Sequence, residues 1–277
     1  MDLLNLEIFQ TVAQQRSITK TAQLLNKAQS NISTRVQQLE KQLDAQLFVR
    51  DKKQLELTAQ GVTFLHYSQR ILMLAEEAKQ ALHPHNPSGK LTIGSMESTV
   101  ASRLPKVLAQ YQQLWDKVEL QVTTAPSLQL LQEVVDYRLD CAFLALDQHK
   151  LPAGLGAQMV FHEELLLIVP ERYKDLALST LPIRRLACFR QGCSYRRFAQ
   201  RQLPYDLILQ EVGSYHAIIA CVAAGTCIGV LPRSVLELQS HNPGVFPHPL
   251  GLLDTYFIWR ENNTSRALKQ LRKQLFS

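Results

Sequence analysis

The sequence predicts an α+β multi-domain chain in three parts: a winged helix-turn-helix head, a long linker helix and a C-terminal α/β region. Three observations predict it. Apolar residues recur at helical spacing through the first 43 residues and then form two short β-like runs; a heptad-like series without proline follows; and past residue 90 short apolar runs alternate with helical segments.

Leu3, Leu6, Phe9, Val12 and Ala13 line one face of a first helix, 3–15. Ser17 is the expected N-cap of a second, 18–25, because its hydroxyl can accept from the free amides of a new helix. Asn26-Lys27-Ala28 makes a tight turn, and a third helix, about 29–43, buries Ile32, Val36, Leu39 and Leu43. Two short helices joined by about three residues, with a third packed behind, match helix-turn-helix geometry. Residues 47–58 read as two short strands around a basic tip, the pattern of a winged hairpin.

From Thr58 to about Leu82 there is one Gly and no Pro, and Phe64, Ser68, Ile71, Ala75, Ala78 and Leu82 follow one another by alternating steps of four and three. A helix of that length spans on the order of 35 Å. So narrow a seam suits pairing with another helix, and these six residues are assigned to dimerisation; the bland alternative is a long helix packed on its own domain. His83-Pro84-His85-Asn86-Pro87-Ser88-Gly89 is the clearest breaker cluster and marks a hinge. Beyond it, 90–94, 118–123, 141–146, 164–170, 185–189, 208–212, 228–232 and 255–259 read as strands with helices between most of them, which implies βα units and mainly parallel pairing in two sheets.

With 46% hydrophobic and 19% charged residues, the 277-residue chain has the balance of a folded soluble protein. The start, Met1-Asp2-Leu3-Leu4-Asn5, does not read as an export signal, and no run approaches the roughly 18–20 apolar residues of a membrane span. Five cysteines, an odd number without a CxxC pair, argue against a disulfide framework or a zinc cluster and fit a reducing cytoplasm. The net charge of +6 decides nothing alone. Its distribution is more telling: from Ile8 to Leu39 there are four basic residues and no Asp or Glu, so nothing there repels phosphate.

Ser17-Ile18-Thr19-Lys20-Thr21-Ala22-Gln23-Leu24-Leu25, Gln29-Ser30-Asn31-Ile32-Ser33, Gln38-Leu39-Glu40-Lys41-Gln42-Leu43 and Leu47-Phe48-Val49-Arg50 together resemble the LysR-type transcriptional regulators. Thr58-Ala59-Gln60-Gly61 is similar to that family's step from wing to linker helix. The Asp140 strand, Leu165 to Pro170 and Val222 to Pro232 are similar to its effector domain, so the resemblance covers essentially the whole chain. It implies a two-lobed domain like periplasmic binding proteins, a small-molecule effector with no other cofactor, double-stranded promoter DNA as partner, and a homodimer or homotetramer. The parts become 1–58, linker helix 59–83, hinge 84–90 and effector domain 91–277, with one lobe at about 91–161 and 259–277 and the other at about 162–258. Lys27-Ala28-Gln29-Ser30 stands where the family often has Val-Ser-Gln-Pro, losing a capping Ser and a helix-starting Pro. Gly192-Cys193-Ser194-Tyr195-Arg196 with Gly213-Ser214-Tyr215 resembles a subgroup that includes regulators of glutamate and putrescine metabolism.

At the start of the third helix, side-chain amides suit adenine and Arg suits guanine in the major groove, which makes Gln29, Ser30, Asn31, Thr34 and Arg35 the expected contact set. Ser33 and Lys20 are assigned to phosphate, and Lys52 and Lys53 at the wing tip to backbone or minor groove. An exposed polar helix face is ordinarily only solvated, and the helix-turn-helix frame is what lifts these residues above that reading.

A ligand of a two-lobed α/β domain belongs in its cleft, where strand ends and helix starts converge. Ser95, Glu97, Ser98 and Thr99 follow one strand; the resemblance implies Ser98 or Thr99 as effector contacts. Arg190, Cys193, Tyr195 and Arg196 occupy a second such loop, and Ser214 and Tyr215 a third. Arg196 or Arg190 could take a carboxylate, Glu97 an amine, and Tyr195 or Tyr215 a wall, so an amino acid, a dicarboxylate or a polyamine would fit. Ordinary helix caps and surface arginines are the plainer alternative.

No nucleophile with its base, paired carboxylates or metal cluster stands out, which argues against an enzyme. Cys188 and Cys193 could form a redox switch, although a cysteine on a buried strand is more often packing. His83 and His85 make a weak metal-like pair that reads better as hinge residues. A binding protein without a regulatory role is the remaining alternative, and the added head argues against it.

Overall fold

In the computed structural model, helices α1 (Leu3–Gln15), α2 (Ile18–Leu24) and α3 (Gln29–Leu43) form where the apolar spacing put them. The structure describes residues 2–51, 54–81, 87–146, 151–239 and 244–276. The chain divides into two units, Met1–Pro84 and His85–Ser277. In the first, Ile8, Phe9, Val12, Ala22, Ile32, Val36, Leu39, Leu47 and Phe48 make one core. Asp2 caps α1 and Ser17 caps α2, the Ser17 hydroxyl accepting from the Lys20 amide at 3.3 Å. Ala28 opens α3 with no side-chain cap.

The hairpin of β1 (Phe48–Asp51) and β2 (Gln54–Leu57) is tied to α3 by Glu40, whose Oε1 accepts from the amides of Leu47 and Phe48 at 2.8 and 3.1 Å. Thr58 then starts α4 (Ala59–Ala81): its hydroxyl accepts from the Gly61 amide at 2.9 Å and donates to the Gln46 carbonyl at 2.6 Å. Only glycine fits at 61, because a Cβ there would stand 2.1 Å from the Leu47 carbonyl oxygen.

The seam expected on α4 is corrected in its first half. Ser68 is fully buried and accepts from the Gln10 side chain of α1 at 3.3 Å, and Phe64 packs at 5.1 Å between ring centroids from Phe9. Both face the head of their own chain. Ile71 and Ala75 are half-buried and Ala78 is exposed, while Leu82 lies outside the described residues. The large exposed side chains of this helix are Val62, Tyr67 and Leu74, at 57, 53 and 64%.

The second unit holds two five-stranded sheets. The first has the order β4-β3-β5-β12-β6, from β3 (Gly89–Ser95), β4 (Val118–Thr124), β5 (Cys141–Ala145), β6 (Leu155–Phe161) and β12 (Thr255–Arg260). The second has the order β11-β7-β10-β8-β9, from β7 (Glu164–Pro170), β8 (Arg185–Cys188), β9 (Ile208–Glu211), β10 (Ile228–Pro232) and β11 (Val245–Leu252). The expectation of mainly parallel pairing is corrected: β4-β3-β5 and β10-β8-β9 are parallel, and every other pairing is antiparallel. β12 belongs to the first sheet from Thr255, so the second lobe does not extend to 258. Strand β3 starts at Gly89, inside the expected hinge; residues 82–86, with His83 and His85, lie outside the described ones.

Helices α5 (Glu97–Ser102), α6 (Leu104–Leu114), α7 (Ser127–Val135) and α11 (Arg266–Phe276) belong with the first sheet, and α8 (Ser194–Gln202), α9 (Tyr215–Ala223) and α10 (Arg233–Leu236) with the second. Asp140 locks β3 to β5 by accepting from the Thr92 amide at 2.8 Å and its hydroxyl at 2.7 Å. The chain passes between the sheets at 161–164 and again at 252–255, and the Leu253 amide donates to the Glu163 carbonyl at 2.9 Å, so the two crossings run side by side.

Candidate functional site

In the first unit, Gln29, Ser30, Asn31 and Thr34 are exposed on the first two turns of α3, and Ser33 is half-buried. Lys20 and Lys27 are exposed nearby in sequence, on α2 and on the turn after it. Arg35 is oriented from two sides, its Nε donating to Asn31 Oδ1 at 3.1 Å and its Nη1 to Asn5 Oδ1 at 2.9 Å. Asn5 is itself buried in α1, so the pair is held by the head and presents Asn31 with its amide nitrogen still available. Lys52 and Lys53 lie outside the described residues.

In the second unit a cavity of about 630 Å³ opens between the lobes. Of the expected residues, Glu97, Arg190, Cys193, Tyr195 and Tyr215 line it. The others do not. Ser95 donates to the Met96 carbonyl, and Ser98 and Thr99 are 2 and 1% exposed because the short α5 turns them inward. Ser98 Oγ lies 3.5 Å from the Tyr195 hydroxyl and so reaches the cavity wall only through that ring. Ser214 is the N-cap of α9, accepting from the Ala217 amide. Arg196 is paired with Glu211 at 2.7 Å and donates to the Phe189 carbonyl, which takes it out of the role of carboxylate receptor.

The sequence reading missed Thr124, Ala125, Pro126 and Ser127, which form part of the wall. The signal was available: β4 ends at Thr124, beside Ser95 at the end of parallel β3, and ligands of α/β sheets gather at the carboxyl ends of parallel strands. Ser127 is 3% exposed, and its hydroxyl has no hydrogen-bond partner. Across the cleft, the amide of Leu128 donates to the Gly192 carbonyl at 3.3 Å. Gly192 holds φ at +95°, a conformation that admits glycine, with Pro126 and Leu128 in contact distance.

Charge in the cavity is uneven. Burial raises the Glu97 carboxyl above its ordinary range, partly offset by the Tyr215 backbone amide and by nearby His216. Arg190 donates to Gln129 Oε1 at 2.7 Å, which pins the guanidinium beside the first turn of α7. Phe189 and Tyr215, with centroids 4.9 Å apart, make an aromatic wall. Burial pushes the Cys193 thiol up and that of Cys188 up to about 11, so both are poor thiolates.

Residues 3–62 match the family described as bacterial regulatory helix-turn-helix protein, lysR family, and residues 84–277 match the LysR substrate binding domain. The chain belongs to the LysR family. LysR regulators bind DNA and small-molecule effectors, and oligomerisation is typical of them. This LysR chain is 35% identical over 273 residues to the transcriptional regulator GltR of Bacillus subtilis, covering 95% of this chain and 91% of that one. It is 34% identical over 268 residues to YofA of the same organism, at 93 and 92%. In fold, the LysR chain is similar to full-length OxyR from Pseudomonas aeruginosa, with a TM-score of 0.74 at 22% identity over 99% of this chain and 94% of that one. It is similar also to full-length CbnR bound to target DNA, with a TM-score of 0.67 at 20% identity over 99% of both. Among the described residues no helix is long and apolar enough to cross a membrane.

Proposed function

We propose that this regulator reads promoter DNA with the start of α3 and that a small polar effector held in the inter-lobe cavity sets its activity. The carrying observation is the cavity of about 630 Å³, walled by both lobes and bearing charged groups of both signs. That volume lies within the range of about 300–1,000 Å³ usual for small-molecule sites. Gln29, Ser30, Asn31 and Thr34 are assigned to base edges, and Lys20 and Ser33 to phosphate. Dimers, or dimers of dimers, form through α4 and present two copies of α3 to a two-fold site. The protein works in the cytoplasm and catalyses no reaction. The loops 192–196 and 213–215, both bordering the cavity, support the subgroup that includes regulators of glutamate and putrescine metabolism. The raised thiols speak against the redox reading of Cys188 and Cys193.

The test is binding of the purified chain to its own promoter fragment by gel shift and footprinting, with and without Gln29→Ala and Lys20→Ala. Loss of a base contact should weaken specific binding by about 1–3 kcal/mol and relax one operator position. Loss of Lys20 should weaken all sequences alike and flatten the salt dependence. Unchanged footprints for both variants would remove α2 and α3 from the interface.

A further inference from the structure

The chemistry of the cavity distinguishes among ligand classes. Two of its charged or polar lining residues follow the ends of neighbouring parallel strands, Glu97 after β3 and Ser127 after β4, and the register pairs Ser95 with Thr124. Ser127 stands at the first turn of α7, where Pro126 supplies no side-chain cap, and its buried hydroxyl lacks a partner. Other buried hydroxyls, such as Thr99 and Thr255, also lack a partner, and among the described residues Ser127 is the one of this kind that lines the cavity, so it is the one placed to meet a ligand. Arg190, pinned to Gln129 on the same turn, adds a cation beside it. The unpartnered hydroxyl and the cation beside it favour an anion. At the start of α7 the Leu128 amide is taken by the Gly192 carbonyl at 3.3 Å, which leaves the Ser127 hydroxyl as the group there without a partner. Glu97 itself faces no Lys or Arg among the described ion pairs, whereas Glu211 across the cleft is neutralised by Arg196.

We propose that the cavity takes a zwitterionic α-amino acid, with its ammonium on Glu97 and its carboxylate on Ser127 and Arg190. The proposal rests on the cleft being the effector site. An α-amino acid carries its two charges one carbon apart, which suits opposite-sign sites on adjacent strand ends. A diamine or a dicarboxylate would need two sites of one sign, and the second acidic group is already paired. Phe189, Tyr215, Met96 and Val212 leave an apolar wall for the side chain.

Calorimetric titration and thermal shift of the full chain test this with three probe sets: the protein amino acids, the matching amines that lack the carboxylate, and the matching acids that lack the amine. Putrescine and glutarate are added as carriers of two like charges. The expected result is that amino acids alone bind, and that Glu97→Gln and Ser127→Ala each weaken them about tenfold or more. The series on the unmodified chain decides the class without any variant. Gly213→Phe, at a wall position where a Cβ meets nothing within 4 Å, fills the cavity. Binding of putrescine, glutarate or a singly charged series as well as or better than amino acids, lost in Gly213→Phe, overturns the amino-acid class and keeps the cleft. Amino-acid binding that survives Gly213→Phe overturns the cleft and the proposal together. Absence of any amino-acid binding at millimolar concentration overturns the proposal.

Discussion

Ala28 occupies the N-cap of α3 with φ −69° and ψ 144°, extended backbone that a serine adopts without strain. Ala28→Ser should therefore raise the unfolding free energy by about 1 kcal/mol in denaturant titration. It is a departure that weakens the helix assigned to base contacts. Ser127 makes the converse trade: its orphaned hydroxyl destabilises the unliganded fold, so Ser127→Ala should leave stability unchanged or raise it by about 1 kcal/mol. Glu97 behaves similarly through protons. Its folded carboxyl binds a proton more readily than the unfolded one, so below the ordinary carboxylate range it costs nothing. As pH rises through the raised folded value, the charged form destabilises the fold. Glu97→Gln should remove that decline, which pH-dependent melting of the unliganded chain would detect; a variant melting lower than the parent at pH 7 would contradict it. Such groups are invisible in sequence, because a serine after a proline reads as a helix start whether or not its hydroxyl is satisfied.

At the scale of elements, α4 presents Tyr67 and Leu74 to solvent while Phe64 and Ser68 face α1. Tyr67, Ile71, Leu74 and Ala78 keep the four-three step, one residue away from part of the expected seam. Leu74→Glu should convert the assembly to a smaller species in analytical ultracentrifugation without lowering the melting temperature of the head. Phe64→Ala should destabilise the head by about 2–3 kcal/mol, since the ring packs against Phe9. The periodicity was legible; which of two neighbouring stripes meets α1 depends on a tertiary contact that local spacing does not encode. The strands tell the same story. Those with uninterrupted apolar runs, such as Leu165 to Val169, were readable. β11 was not, because Pro247, Pro249 and Gly251 read as breakers, and it tolerates them as an edge strand paired on one side only. β6 was obscured by Gly154 and Gly156, the latter placed where a Cβ would meet the Trp259 ring at 2.5 Å.

For the whole second unit, the two lobes are joined by polar contacts as well as by the crossings. Glu163, 2% exposed, accepts from Arg103 at 2.8 and 3.2 Å and from the Ser234 hydroxyl at 2.9 Å, binding the junction of α5 and α6, the crossing and α10 into one cluster. Glu163→Ala should lower stability by about 1–3 kcal/mol by removing the buried acceptor of Arg103 and Ser234. A loss below about 1 kcal/mol would mean that the lobes are held by apolar packing alone. Two sheets were legible from alternating strands and helices, and the two-lobed plan from the family resemblance, but the sharing of the final strand was not, because β12 pairs with partners about a hundred residues earlier in the chain.

That return of the chain sets an order of events during synthesis. Among the described residues β6 pairs only with β12, so once residue 161 has been made its described partner is missing until residues 255–260 emerge. At about 5–20 residues per second, the wait is on the order of 5–20 seconds. The second lobe, contiguous from Glu164 to Leu252, can close in that interval, while the first lobe is left with an open sheet edge that invites pairing between nascent chains. A ribosome stalled before residue 255 would thus hold a finished DNA-binding head and one finished lobe on a chain unable to complete the other.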